Sequence, residues 1–248
     1  MEWRDEAILL GLRPHGENSA ILSLFTAQRG RHAGLVQGAK SKRLRGVLQP
    51  GNRIAVNWRA RLEEHLGAAT VELEEALSAR LMDDAGRLAA LSSACAMIDK
   101  GLPEREPHPA LYLATLALLH DLAVPDWAAA YVRWETAFLA ELGYGLDLSC
   151  CASTGVTEGL VYVSPRTGRA VSREAGLPWH DRLLPLPSFL TRGDDMGAEA
   201  VGQGLLLTGF FLTRCFAEFT HKPLPDARAR LVTRFPRPNW AGYDIEGR

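Results

Sequence analysis

Arg53-Ile54-Ala55-Val56-Asn57-Trp58 is the stretch that decides the fold of the N-terminal third. Ile54, Val56 and Trp58 alternate with Arg53, Ala55 and Asn57, the period of two expected of a half-buried strand. Pro50-Gly51 makes a turn just before it. Downstream, Gly67–Glu74 repeats the alternation, with Val71 and Leu73 facing one way and Glu72 and Glu74 the other. Upstream, Trp3–Leu12 carries Ile8, Leu10 and Leu12 in alternation and ends at the turn Arg13-Pro14-His15-Gly16. Ala20–Thr26 and Arg31–Gln37 follow, separated by a turn at Gly30. Five short strands with non-strand connections, in about 75 residues, predict a small barrel. The five-stranded OB-fold is the obvious candidate, and period alone does not separate it from an SH3-like barrel.

After residue 78 the period changes. Asp83-Asp84 is a helix start, and Leu88, Leu91, Ala94, Cys95 and Ile98 follow at helical spacing until Lys100-Gly101. Pro103–Pro109 is a proline-rich linker. Leu111–Leu122 and Trp127–Leu142 read as two further helices, the second closed by Gly143. Residues from Tyr144 to about Arg182 are Gly-rich, with a β-like Leu160–Ser164 and the turn Pro165-Arg166-Thr167-Gly168. Helices return at Ala198–Phe219 and Pro225–Val232. The expected fold class is α+β: a barrel over 1–78, a helical domain in two parts over 79–145 and 183–235, a loop-rich insert over 146–182, and a loose tail over 236–248.

Charge is segregated along this plan. The 248 residues carry net charge -1, yet residues 1–61 hold 11 Lys and Arg against 4 Asp and Glu, a net of +7. Arg29, Arg31, Lys40, Lys42, Arg43, Arg45, Arg53, Arg59 and Arg61 follow one another with no acid between them. One polyanion-binding face on an otherwise acidic protein is the natural reading. The core of the run, Lys40-Ser41-Lys42-Arg43-Leu44-Arg45, falls between expected strands. Such cations pair with phosphates without reading bases. Trp58 and Phe25 could stack on bases, but at their strand positions they read equally well as core.

Catalytic chemistry finds little support. Gly34–Ser41 approaches a P-loop, but Ala39 separates Gly38 from Lys40 and no helical pattern follows. No G-x-S-x-G, H-E-x-x-H or G-x-G-x-x-G occurs. His120-Asp121 sits in an apolar helix and reads as a local end contact. Asp194-Asp195 beside Gly193 reads as a loop or cap. The four cysteines, Cys95, Cys150, Cys151 and Cys215, show no disulfide framework and fit reduced thiols. No stretch reaches the roughly 18 apolar residues of a membrane span, the longest candidate, Leu205–Leu212, being stopped by Arg214, and the N-terminus has no signal pattern. A cytoplasmic protein is expected.

At this point several stretches, in order, resemble a known family. They are Ala7–Leu10 leading to Gly16-Glu17, Ser23–Thr26 with Gly30, Gly38–Pro50, Phe138–Leu148, Val161–Gly168, and Lys222-Pro223-Leu224 with Arg228. Together they are similar to the bacterial recombination mediator family RecO over most of the chain, with Gly38–Pro50 the most diagnostic. The resemblance implies an N-terminal OB-fold, a helical domain and, in many members, a zinc ribbon. It implies binding to single- and double-stranded DNA, strand annealing, and partnership with RecR. It also implies binding the acidic tail of single-stranded DNA-binding protein, so that recombinase loads onto coated DNA. The family's DNA-binding stretch falls on Lys40, Lys42, Arg43 and Arg45, with Arg29 and Arg31 as neighbours. Six such contacts would weaken binding on the order of a thousandfold between 50 and 200 mM salt.

The chain departs from the family pattern at the zinc site. The cysteine pattern is reduced to Cys150 and Cys151, with Ser172 and Ala175 about where later ligands would lie, so the expectation is no metal and no cofactor. The tail-binding site is expected on the helical domain around Tyr131, Arg133 and Arg214. The main reading is a non-enzymatic DNA-binding recombination mediator. The alternative is an OB-fold RNA-binding protein, which the barrel and its charge would suit equally.

Overall fold

A computed structural model describes residues 1–62 and 65–238; the part of the expected tail from 239 to 248 lies outside them. The chain divides into two compact units, Met1–Pro125 with Pro225–Arg228, and Asp126–Leu224 with the described residues from Ala229 on.

In the first unit, β1 (Glu2–His15), β2 (Ser19–Thr26), β3 (Gly30–Gln37), β4 (Arg53–Arg59) and β5 (Gly67–Glu75) close into a barrel in the order β1-β2-β3-β5-β4. This is the expected five-stranded barrel. β1 serves two partners: residues from Glu2 to Ile8 pair with β4, and those from Ala7 to His15 pair with β2. The register shift between Leu9 and Gly11 bends it from one to the other.

Closure depends on the parallel pairing of β3 with β5 at Gly34↔Gly67 and Leu35↔Ala68. Trp58, fully buried, lies against this seam. A Cβ on Gly67 would stand 2.2 Å from the indole ring, and one on Gly34 would meet Ala69 Cβ at 2.9 Å. Two glycines therefore make the room that lets one large ring fill the barrel. Trp58 Nε1 donates to Ala33 O at 3.0 Å, which satisfies its only polar atom. Trp58 and Phe25 are both fully buried, so neither presents a stacking face.

Alternation in β1 is buried on both sides. Ala7 and Leu9 face the barrel core, while Ile8 and Leu10 are buried on the opposite face, where α2 (Ala85–Gly101) packs on β1. The Asp84 side chain caps α2, accepting from the amides of Gly86 and Arg87 at 2.8 and 3.0 Å. Asp99 of α2 accepts from Ser23 Oγ at 2.6 Å. α3 (Pro109–Asp121) sets Tyr112 edge-on against Phe25 at 5.7 Å. Leu73, expected on the inner face with Val71, is 43% exposed. It pairs with the core residue Ile54 at the last regular position before the β4–β5 register shifts, between Arg53 and Ile54.

The second unit is built on α4 (Trp127–Glu141) and α6 (Ala198–Phe219). Gly204 lets Val132 approach, since a Cβ there would meet Val132 Cγ1 at 2.7 Å. Thr208 donates to the buried Glu135 carboxylate between the two helices. A three-stranded sheet of β6 (Leu160–Val163), β7 (Ala170–Ser172) and β8 (Leu184–Pro185), ordered β7-β6-β8, forms the insert with the one-turn helix α5 (Arg173–Gly176). α6 is long and apolar enough to cross a membrane by length and composition, which a search for uninterrupted apolar runs overlooks. In this structure 67% of its most apolar window is buried, as in a core helix.

Candidate nucleic-acid interface

The basic segment between β3 and β4 is a fitted cap on the barrel. Gly38, at φ +67°, turns the chain out of β3. Ser41 then starts the single-turn helix α1 (Lys42–Arg45), its hydroxyl accepting from the Leu44 amide at 3.4 Å. Leu44 and Leu48, 4% and 5% exposed, belong to the barrel core. Their i, i+4 spacing puts both on one face of the turn, so their neighbours must face water. Lys40, Lys42, Arg43 and Arg45 are all exposed. Among the described residues no carboxylate pairs with any of them.

Side-chain hydrogen bonds to the backbone hold the cap in place. Asn52, 1% exposed, donates from Nδ2 to the carbonyls of Gly46 at 3.0 Å and Val47 at 3.2 Å. Its Oδ1 accepts from Ser78 Oγ at 2.8 Å. Gln49 Nε2 donates to Arg45 O at 2.9 Å. Four unpaired cations on a backbone fixed this way form a preorganised positive surface, suited to successive phosphates.

The structure does not gather all six expected DNA contacts. Arg29 and Arg31 lie at the opposite end of β3 from Lys40, about 23 Å away at ~3.3 Å per residue. Arg29 is half-buried with its guanidinium 5.2 Å from the centre of the Trp3 ring. Arg31 is engaged more fully. It pairs with Glu104 at 3.2 Å and Asp99 at 3.8 Å, and its Nε donates to Leu102 O at 3.0 Å. A phosphate there would have to displace two carboxylates, so Arg31 acts as a tie between β3 and the segment after α2.

Two basic residues outside the linear run stand beside the cap. Ala39 N donates to Asn18 O at 2.8 Å, which brings the β1–β2 turn alongside. His15, Ser19 and Gln37 form one row across three strands, and Arg13 and His15 are exposed. Nothing in the order of the sequence joins Arg13 to Lys40; only the strand pairing does.

The expected peptide site is likewise not assembled. Tyr131 is 1% exposed and packs on Trp134 at 5.8 Å between ring centres, so it belongs to the core of the second unit. Arg133 is exposed and donates to Phe189 O at 3.3 Å, with its guanidinium 5.4 Å from the Phe189 ring centre. Arg214 is exposed and donates to Pro165 O at 2.8 Å. The two arginines serve different segments of their unit. Of the expected zinc-ribbon positions, Cys151 and Ser172 do meet, with Ser172 N donating to Cys151 Sγ at 3.3 Å.

Comparison with known proteins agrees with the fold. The family model described as recombination protein O N terminal matches residues 1–76, and that described as recombination protein O C terminal matches residues 82–222. A DNA repair protein RecO of Rhodospirillum centenum is 57% identical over 237 residues, 95% of each chain. One of Rhodospirillum rubrum is 50% identical over 252 residues, covering 98% of this chain and 99% of its own. One of Cereibacter sphaeroides is 52% identical over 238 residues, covering 96% of this chain and 99% of its own. With both halves matched and identity sustained from end to end, the chain belongs to the RecO family of DNA repair proteins.

Proposed function

We propose that the chain is a non-enzymatic recombination mediator that binds single- and double-stranded DNA on the barrel cap, through Lys40, Lys42, Arg43 and Arg45. The observation that carries this reading is the cap itself: Leu44 and Leu48 sit in the barrel core while the four cations around them face water, without carboxylate partners among the described residues. Arg13 and His15 extend the same surface. Arg29 and Arg31 are left out of it, because they lie at the far end of β3 and Arg31 is already paired.

Contacts of this kind hold phosphates and leave base edges open. Two complementary strands held there lose part of their mutual repulsion and remain free to pair, so annealing needs no catalytic residue and no cofactor. We extend the proposal to a wider role, which membership of the family supports: partnership with RecR, capture of the acidic tail of single-stranded DNA-binding protein, and help in loading recombinase onto coated DNA. It would be exercised in the cytoplasm, at the nucleoid. For the tail, Arg133 and Arg214 remain exposed cations on the second unit, whereas Tyr131 is withdrawn.

The test is annealing of two complementary labelled oligonucleotides, followed by energy transfer, with the intact protein and a variant in which Lys40, Lys42, Arg43 and Arg45 are changed to Ala. The reading predicts accelerated annealing that the variant loses while its melting curve is unchanged. Equal acceleration by both proteins would remove the cap from the function. Preference for RNA over DNA of equal length would favour an RNA-binding role instead.

A further inference from the structure

The insert brings two turns together around side chains that are poor in metal ligands. Two turns face one another. The first runs from Cys151 to Val156, with Cys151 N donating to Val156 O at 2.7 Å and Gly155 N to Cys151 O at 2.9 Å. The second is the start of α5, where the Ser172 hydroxyl accepts from Ala175 N at 3.5 Å. Cys151 and Thr154 are separated by two residues, as are Ser172 and Ala175, and the pairs stand 17 residues apart. That is the double C-x2-C spacing of a zinc ribbon. Only one of the four positions is a thiol. Among the described residues no group of three or more His, Cys, Asp or Glu could hold a metal ion.

We propose that Cys151, Thr154, Ser172 and Ala175 occupy the four ligand corners of a ribbon that hydrogen bonds to the Cys151 sulfur close in place of a metal. The sulfur is the hub. It accepts the Ser172 amide at 3.3 Å and is 2% exposed, and the Thr154 hydroxyl is the further donor the proposal assigns to it. Cys150, although adjacent, is half-exposed and is not a corner. Backbone ties replace the rest of the metal's hold. Ala152 N donates to Ala170 O at 2.8 Å and Arg173 N to Gly159 O at 2.9 Å, while Arg169 pairs with Asp147 at 3.2 Å. Leu160, Val163, Ala170 and Leu184 supply a small core beneath.

The assignment makes a gain-of-function prediction. The full chain carrying Thr154→Cys, Ser172→Cys and Ala175→Cys should bind one Co(II), with the intense thiolate charge-transfer and d–d bands of a tetrahedral all-sulfur site, and should melt higher with metal than without. Adding Cys150→Ala should leave the spectrum unchanged, and adding Cys151→Ala should abolish it. The natural chain should purify without stoichiometric zinc and melt at the same temperature with and without chelator. A second pair of variants guards against misfolding of the triple variant. Thr154→Val and Cys151→Ala should each lower the melting temperature, and together by no more than the larger of the two. Stoichiometric zinc in the natural chain, a cobalt site that needs Cys150, a folded triple variant with no tetrahedral spectrum, or fully additive losses would each overturn the proposal.

Discussion

Asn52 Nδ2 donates to the carbonyl oxygen of Gly46 at 3.0 Å. That bond joins the residue just before β4 to the C-terminal end of the cationic turn. Because Asn52 is buried and also bonds Val47 and Ser78, one uncharged side chain sets the direction of four charged ones.

Replacing Asn52 with Ala therefore separates geometry from charge. The change removes a buried side chain that bonds Gly46, Val47 and Ser78, and stability should fall by about 1–3 kcal/mol, measured by urea unfolding. DNA affinity should fall as well, although no cation has been removed. Loss of stability with unaltered affinity would show that the cap need not be fixed to work.

Gly67→Ala tests the barrel seam. The new methyl would lie within 2.2–2.6 Å of the Trp58 ring atoms, and neither backbone nor indole has room to give. Overpacking of this kind should cost about 1–3 kcal/mol or more. Trp58 emission should shift to the red if the ring is driven toward solvent.

Arg31→Ala should act on stability alone. Its pairs with Asp99 and Glu104 are partly exposed, so screening limits them to about 1 kcal/mol or less between them. Thermal melting should report that small loss, and the dependence of DNA binding on salt should be unchanged. A flatter salt dependence would return Arg31 to the DNA surface.

His32 packs edge-on against both Trp3 and Trp58, at 5.2 and 4.8 Å between ring centres, and the two indoles stack on each other at 5.5 Å. Burial lowers its pKa below the ordinary 6.5, and Arg105 and Arg29 add to that, against the Ala33 carbonyl and Glu104. The folded state therefore binds the proton less readily than the unfolded chain. Stability is fully present above about pH 6.5 and declines as pH falls through that value toward the folded pKa. Asp84 and Asp99, both held below the usual 3.8, add their losses only at more acid pH. Urea midpoints at pH 7.5 and 5.5 should differ for the natural chain, and differ less for His32→Gln.

Much of the architecture was legible because its causes are local. The Asp84 cap and the apolar spacing of α2 sit in consecutive residues, and the bounds of α6 coincide with its hydrophobic run. The alternation Ile54, Val56, Trp58 turned inward as expected. The candidate site was legible only in part. Lys40, Lys42, Arg43 and Arg45 share one turn, and sequence proximity places them together. Arg31 belongs to the same unbroken run of charge, but β3 carries it to the other end of the strand and tertiary contacts bring Asp99 and Glu104 to it. Arg13 joins the cap through strand pairing across more than twenty residues, and a linear charge count has no access to that. Tyr131 looked available because aromatic–arginine pairs also occur on peptide grooves; its neighbours Val132, Trp134 and Glu135 are all buried, and that face of α4 is core.

The most direct test of the account is fluorescence anisotropy of a labelled single-stranded oligonucleotide between 50 and 200 mM salt. Four phosphate contacts at the cap should give a log–log slope near −2.8, about a 50-fold loss of affinity over that range. The variant with Lys40, Lys42, Arg43 and Arg45 all changed to Ala should bind weakly and with a much flatter slope. A variant that keeps the natural slope and affinity would contradict the assignment of DNA to the barrel cap.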